Sequence, residues 1–324
     1  MATLKDVARE SGLTVSTVSR ILNNRGYISD NARQKVADAM EELNYRPNEV
    51  ARSLHRKSTN MIGLIVPHIR HPYFAEMISN LENQVYKKGY RILLCNSQRS
   101  EREQEFIDMC TGNQVAGIIL CSGTLETKKF GRVDIPVITM ERFRDNGTAS
   151  VECDNRQGGE LAAEKLISCG CRNLLQVGNI ANQPMPADTR AEGFRAVCER
   201  ENVSFVEVSV QEAQYYNMRY SEILEDALRK YAQTDGIFAS SDVIAAQALQ
   251  ACRKLRISVP DQMKIIGFDD MQIATITTPQ LTTIHQPVKE MAEIAISLLH
   301  DAVQEKLVPR RTVLPVHLVE RETT

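Results

Sequence analysis

"GLTVSTVSRILNN", residues 12–24, decides how the rest of the chain is read. Val15, Val18, Ile21 and Leu22 recur at helical spacing and mark one buried stripe. The other face carries Ser16, Thr17, Ser19, Arg20 and Asn23, short hydrogen-bonding groups plus one fork-shaped cation. An ordinary surface helix more often carries Glu and Lys pairs there. Gly12 suits the left-handed conformation that closes a preceding helix, and Thr14 suits an N-cap. Upstream, Leu4, Val7 and Ala8 mark that preceding helix. Downstream, Ser29 or Asp30 caps a third, with Ala32, Val36, Met40 and Leu43 as its stripe. Helix, tight glycine-containing turn, helix is the helix-turn-helix pattern. Its second helix enters the DNA major groove, and the first residues of that helix meet base edges. Those residues are Val15, Ser16 and Thr17. Val15 suits a thymine methyl, and Arg20 suits the O6 and N7 of guanine. Thr3, Thr17, Ser19 and Asn23 suit phosphate oxygens. The structural alternative is a generic three-helix cap.

Beyond Pro47, which stops the third helix, Val50, Ala51 and Leu54 again sit at helical spacing. The segment is too short to hold a helix alone in water, so it reads as a linker that becomes helical only when something holds it. From Asn60 the pattern changes. "MIGLIVP", "RILLCNS", "VAGIILCS" and "IPVITME" alternate with helical stretches at 73–88 and 102–113. "NLLQVGN", "VSFVEVSV", "GIFASSD" and "KIIGFDD" alternate with helices near 156–169, 189–201, 216–231 and 243–255. Near-continuous apolar strands separated by helices predict α/β lobes with doubly wound parallel sheets covered on both faces. Two similar lobes are expected, completed by a helix at 287–304 and the strand-like "RTVLPVHLVER".

Length and composition narrow the function. A chain of 324 residues is right for two or three cores. The apolar runs, such as Met61–Pro67 and Gly117–Cys121, fall far short of the ~20 residues that span a bilayer. "MATLKDVARE" has no apolar signal region, so a cytoplasmic protein is expected. Eight cysteines are scattered without a C-x-x-C pair or zinc spacing, which predicts buried, reduced thiols and no metal. Residues 1–58 hold ten Lys/Arg and seven Asp/Glu, a net +3 within a chain of net −2. A basic head on an acidic body fits a phosphate-binding module. The nucleophile elbow, P-loop and dinucleotide glycine pattern are all missing, and His285 in "TTIHQP" stands alone, so no enzyme is expected. Polar residues at the ends of parallel strands are where such sheets bind ligands. Here "ITMERF", "FASSD" and "IGFDD" offer Glu141, Arg142, Asp242 and Asp269. The alternative role for each carboxylate is a helix cap or a loop charge.

"DVA", "TVSRILN", "AMEELNYRPN" and "VARSL" resemble the headpiece of the lactose-repressor family of bacterial transcription regulators. The likeness continues through "HPYFAEMISNLE", "GGELAAEKLI", "TRAEGFRAV", "IFASSD", "GFDDM", "TTPQLTTIHQP" and "LPVHLVERETT", in the family's order, over essentially the whole chain. The resemblance implies a headpiece at 1–46, a hinge helix within 47–59 and a body at 60–324 resembling periplasmic sugar-binding proteins. The first lobe would hold about 60–157 plus 288–315, and the second about 158–287 plus 316–324. It implies that Val15, Ser16 and Arg20 read operator bases. Asn48 and Ala51 would belong to the DNA-contacting hinge, and Leu54 to the wedge that opens the minor groove. Arg190, Asp242 and Asp269 would contact the effector, with Tyr73 and Phe74 packing on it from the other lobe. Glu141 stands where many sugar-responsive relatives have Asp. Operator DNA, a sugar or sugar phosphate and a second copy of the chain are the implied partners, with no cofactor and no membrane. The chain stops at "VERETT", short of the extra helix that makes tetramers in some relatives, so a dimer is expected. "NQVAGII" and "LPVHLVERETT" are similar to sucrose-operon repressors of Gram-positive bacteria. The helix "VKEMAEIAISLLH" lacks the Arg that a relative binding a phosphocarrier protein uses. The expected function is a repressor of sugar-utilisation genes, released from a palindromic operator when a sugar or sugar phosphate binds the cleft; corepression is the rival logic, since it would use the same cleft. A periplasmic binding protein is the rival reading, opposed by the head and by the charged N-terminus.

Overall fold

The computed structural model describes residues 2–22, 26–46, 59–97, 101–121, 133–142, 147–180 and 186–324, and among these described residues three helices make up the N-terminal unit. They are α1 (Leu4–Glu10), α2 (Val15–Leu22) and α3 (Asp30–Glu42). Local chemistry sets their ends. Gly12 has φ +66°, the left-handed conformation that turns the chain out of α1. Thr14 Oγ1 accepts from the Thr17 N–H at 3.1 Å, and Ser29 Oγ accepts from the Ala32 N–H at 3.3 Å. Val7, Ala8, Val18, Ile21, Val36 and Ala39 form the buried centre. The chain divides into this unit, Met1–Thr59, and a second, Asn60–Thr324. Asn23, Asn48, Ala51 and Leu54 lie outside the described residues.

The second unit contains two six-stranded sheets. The first joins β1 (Met61–Val66), β2 (Arg91–Asn96), β3 (Gly117–Leu120), β4 (Val137–Met140), β5 (Ala149–Cys153) and β11 (Arg311–Leu314). Its order is β11-β5-β4-β3-β1-β2, and every pair is parallel. Helices α4 (Pro72–Lys87) and α12 (Val288–Val303) pack together and help to cover one face through Met77, Leu81, Val85, Met291, Ala295 and Leu299. Helix α5 (Glu101–Gly112) covers the other through Ile107 and Cys110. The second sheet joins β6 (Asn173–Ile180), β7 (Ser204–Val210), β8 (Gly236–Ala239), β9 (Lys264–Asp269), β10 (Thr282–His285) and β12 (His317–Val319). Its order is β12-β10-β9-β8-β6-β7, with only β12 antiparallel to its neighbour. Helices α6 (Asn155–Ser168) and α7 (Pro186–Arg200) pack on one face, and α9 (Ser221–Lys230) and α10 (Asp242–Leu255) on the other.

Three short segments carry the chain between the sheets: Asp154 after β5, Gln286–Pro287 after β10, and Pro315–Val316 between β11 and β12. The run "RTVLPVHLVER" is therefore two strands in two sheets. The helix expected at 216–231 is also two, α8 (Glu212–Asn217) and α9, because Met218 takes φ +53° and ends α8. Strand β5 escapes an apolar-run search because it carries Ser150 and Glu152. Inside the sheet, Ser150 Oγ donates to Glu152 Oε1 at 2.7 Å, and Arg311 forks onto both Glu152 oxygens at 3.1 and 2.9 Å. All eight cysteines are free, and seven are buried. Among the described residues, no helix is long and apolar enough to cross a membrane.

Candidate functional site

In the N-terminal unit, Val18 and Ile21 turn inward while Val15, 41% exposed, faces solvent beside Ser16 and Arg20. A large apolar side chain left in water at the first turn of a helix suits contact with a thymine methyl. Thr17 and Ser19 are half-buried on the same helix, and the Thr17 hydroxyl shares a 2.8 Å hydrogen bond with Thr14. Thr3 has a different place from the one expected. Its N–H and hydroxyl both donate to Asp6 Oδ2, at 2.9 and 2.7 Å, closing a capping box on α1. A phosphate oxygen only accepts, so the Thr3 hydroxyl has no second proton for one.

Between the two sheets, strand ends, the start of α6 and the first half of α7 bring six side chains into one ring. Asn155 Nδ2 donates to Glu141 Oε2 at 2.8 Å. Arg190 Nε donates to Asn155 Oδ1, and its Nη1 to the Ser240 carbonyl, both at 2.6 Å. Nη1 also lies 3.9 Å from Asp269 Oδ1. Gln286 Nε2 donates to Asp269 Oδ1 at 2.7 Å, and the Cys153 thiol donates to Gln286 Oε1 at 3.2 Å. The Cys153 N–H closes the ring on Glu141 Oε1 at 3.3 Å. Tyr73 OH donates to the same oxygen at 3.4 Å, and Phe74 meets the Tyr73 ring edge-on at 5.2 Å. The Arg190 guanidinium lies 3.6 Å over the Phe268 ring. The backbone is strained where the acids project: φ is +64° at Glu141, +118° at Asp269 and +58° at Asp270. Such conformations are costly for non-glycine residues and persist where the surroundings over-determine them.

Two carboxyls share one guanidinium here, out of water. Burial pushes the Glu141 carboxyl up, against the pull of Arg190, Asn155 and Cys153. Burial pushes Asp269 well above the carboxylate range, with Arg190 opposing and Asp242 adding to the rise. Asp242 does not join the ring. It is fully buried at the first turn of α10, where its Oδ1 accepts from Thr283 Oγ1 at 2.6 Å and its Oδ2 from the Met271 N–H at 2.8 Å. Both oxygens hold the second lobe together instead of facing the cleft. Burial lifts this carboxyl from 3.8 to about 7. A carboxyl whose folded value lies above its unfolded value stabilises the fold when protonated and loses that stability as pH rises through the folded value. Asp242→Asn keeps both bonds once the Thr283 hydroxyl rotates to accept. Its melting temperature relative to the wild type is expected to rise as the pH goes from 4 to 7.5; a difference independent of pH contradicts this.

Arg190, Glu141, Asp269, Tyr73 and Phe74 thus gather at one place, with Asp242 behind them. Asn155, Cys153 and Gln286 were not expected. They sit on or beside the crossings between the sheets, where no strand-end pattern points. The lone His285 is tied down: its Nδ1 bonds Asp270 Oδ2 at 2.9 Å, and Arg321 holds the other oxygen at 2.6 Å.

Two family models match the chain: "Bacterial regulatory proteins, lacI family" over residues 3–48, and "Periplasmic binding protein-like domain" over residues 163–324. A ribose operon repressor of Halalkalibacterium halodurans is 35% identical, over 100% of this chain and 97% of that protein. A sucrose operon repressor of Streptococcus mutans is 34% identical, over 100% of this chain and 99% of that protein. A periplasmic binding protein/LacI transcriptional regulator from Alkaliphilus metalliredigens, solved with D-xylulofuranose, superposes with a TM-score of 0.73 at 31% identity, covering 82% of this chain and 99% of its own. Identity at this level over the full length of the chain makes it a member of the lacI family of bacterial regulatory proteins.

Proposed function

We propose that the chain is a dimeric, sugar-responsive repressor that leaves its operator when a sugar enters the inter-lobe cleft. The family is regulatory and not enzymatic, and a repressor working at an operator would act in the bacterial cytoplasm. The ring carries this reading. Glu141 and Cys153 belong to strand ends of the first lobe, Asp269 to a strand end and Arg190 to helix α7 of the second, and Asn155 and Gln286 to the crossings between them. A ligand whose hydroxyls replace bonds of this ring changes what holds the lobes to each other. Binding is then linked to lobe arrangement, the differential interaction that allosteric control requires. Relatives of nearly equal identity are named for ribose and for sucrose, so the sugar is chosen by the cleft's own side chains. A homodimer is supported by large apolar side chains left in water on consecutive elements of the first lobe: Tyr86 at 62% exposure, Leu94 at 43% and Met109 at 36%.

Reading by α2 has a direct test. Arg20→Ala is expected to weaken binding to the matched pseudopalindrome by ~1–3 kcal/mol, and binding to random DNA by less. Fluorescence anisotropy at fixed salt measures both, since salt sets the phosphate contribution. The same titration gives the stoichiometry, expected to be two chains per palindrome. Equal losses on matched and random DNA would confine Arg20 to a phosphate.

A further inference from the structure

Arg20 has a neighbour that its own helix does not supply. Gly26 lies between α2 and α3, with φ +75°. A Cβ built at Gly26 would stand 2.7 Å from Arg20 Nη2, 3.7 Å from its Cζ and 3.9 Å from its Nε. Outside the chain neighbours of Gly26, these are the atoms nearest to that point, and all belong to Arg20. The guanidinium thus fills the space where residue 26 would otherwise carry a side chain. Gly12, the other left-handed glycine of this unit, has nothing within 4 Å of its added Cβ. The close approach therefore belongs to Gly26 and does not come with the backbone conformation. Both partners are exposed. An exposed arginine ordinarily samples many rotamers, and fixing it on a base costs that freedom.

We propose that Gly26 is a positioning residue for operator reading: its missing side chain leaves a seat for the Arg20 guanidinium, from which the fork meets guanine already set. The inference rests on reading α2 as the base-contacting helix and Arg20 as its guanine reader. Two N–H donors must meet O6 and N7 together, so direction matters as much as charge. A phosphate contact carries no such demand for sequence. A group held in its bound place beforehand loses less freedom on binding. Any side chain at position 26 takes the seat. The colliding atoms are the far end of a flexible side chain, so the fold yields little and the arginine swings away. The charge stays on α2 while its direction is lost. General affinity for DNA is then kept, and the preference for guanine is not.

The full chain is titrated by fluorescence anisotropy at fixed salt. The probes are the matched pseudopalindrome, versions with each half-site guanine replaced in turn by adenine, and random DNA. In the wild type one replacement is expected to cost the most, and in Arg20→Ala that replacement costs nothing further. If no guanine behaves so, the reading of Arg20 and the inference fall together. Gly26→Ala is expected to weaken the matched site about tenfold, to keep random DNA within about twofold, and to ignore that guanine as Arg20→Ala does. The double variant of Arg20→Ala and Gly26→Ala is expected to bind as Arg20→Ala alone, because the two residues act as one unit. Gly12→Ala carries the same left-handed strain without the collision and keeps the guanine preference. Gly26→Asn eases the backbone strain, since Asn visits the left-handed region, and still loses the preference. Melting temperatures identify the folded variants. A folded Gly26 variant that reads the guanine as the wild type does overturns the assignment and leaves Arg20 as the reader. Losses that add in the double variant, or a Gly26→Ala loss equal on matched and random DNA, confine Gly26 to holding the backbone and overturn it as well.

Discussion

Gly159→Ala is expected to lower the melting temperature by about 10 °C and to disturb the effector cleft with it. Helices α6 and α7 cross with their backbones in contact, and glycines on both make this possible. A Cβ at Gly159 would land on the carbonyl oxygen of Arg190, and one at Gly193 on that of Arg156. The colliding atoms are backbone, so no rotamer change relieves them. Either the helices part or their backbones distort, at a cost of ~3 kcal/mol or more, at or beyond the upper end of overpacking effects. At ~2–4 °C per kcal/mol for a lobe of this size, the drop follows. Arg190 sits at this contact, so a shift that relieves the clash also moves the guanidinium off Asn155 and Phe268. Gly112→Ala is the control, because nothing lies within 4 Å of its added Cβ. A Gly159→Ala melting temperature within 2 °C of the wild type contradicts the close crossing.

Arg190→Leu is expected to abolish the response to sugar. The guanidinium bonds Asn155 and Ser240, lies near Asp269, stacks on Phe268 and is the main influence holding down the buried Glu141 carboxyl. Removing one partner of a buried charged set costs ~3–5 kcal/mol because the others are left uncompensated. Applied to effector binding, that is a loss of at least 100-fold. Arg190→Lys keeps the charge without the fork and should fall between, since one ammonium cannot hold two divergent partners and stack on a ring. Calorimetry with the sugar that binds the wild type measures all three. Undiminished sugar affinity in Arg190→Leu removes the ring from the effector site.

Much of this fold is legible residue by residue. The stripe Val15, Val18, Ile21, Leu22 is α2, and most of the apolar runs named from the sequence are strands. What escaped did so for physical reasons. Strand β5 hides Ser150 and Glu152 in the sheet by pairing them with each other and with Arg311. Strand β10 buries Thr282 and Thr283, whose hydroxyls bond Thr324 and Asp242. Asp242 and Asp269 look alike in sequence, both being acids at strand ends before a helix or turn. Their separation depends on neighbours distant in the chain. Thr283 and the Met271 N–H draw Asp242 inward, whereas the φ of +118° at Asp269 aims its carboxyl at Gln286 and Arg190. Asn155 and Gln286 carry no pattern at all, because their role comes from the chain crossing between sheets.

Operator release by free sugar tests the central claim most directly. A labelled pseudopalindrome from upstream of neighbouring sugar genes is bound by the wild-type chain at fixed salt, and anisotropy is followed as D-ribose, D-xylulose or sucrose is added. Tight binding that one of these sugars reverses, and that Arg190→Leu no longer releases, is the predicted result. A complex that every sugar leaves intact, or that a sugar tightens, contradicts a repressor induced through this cleft.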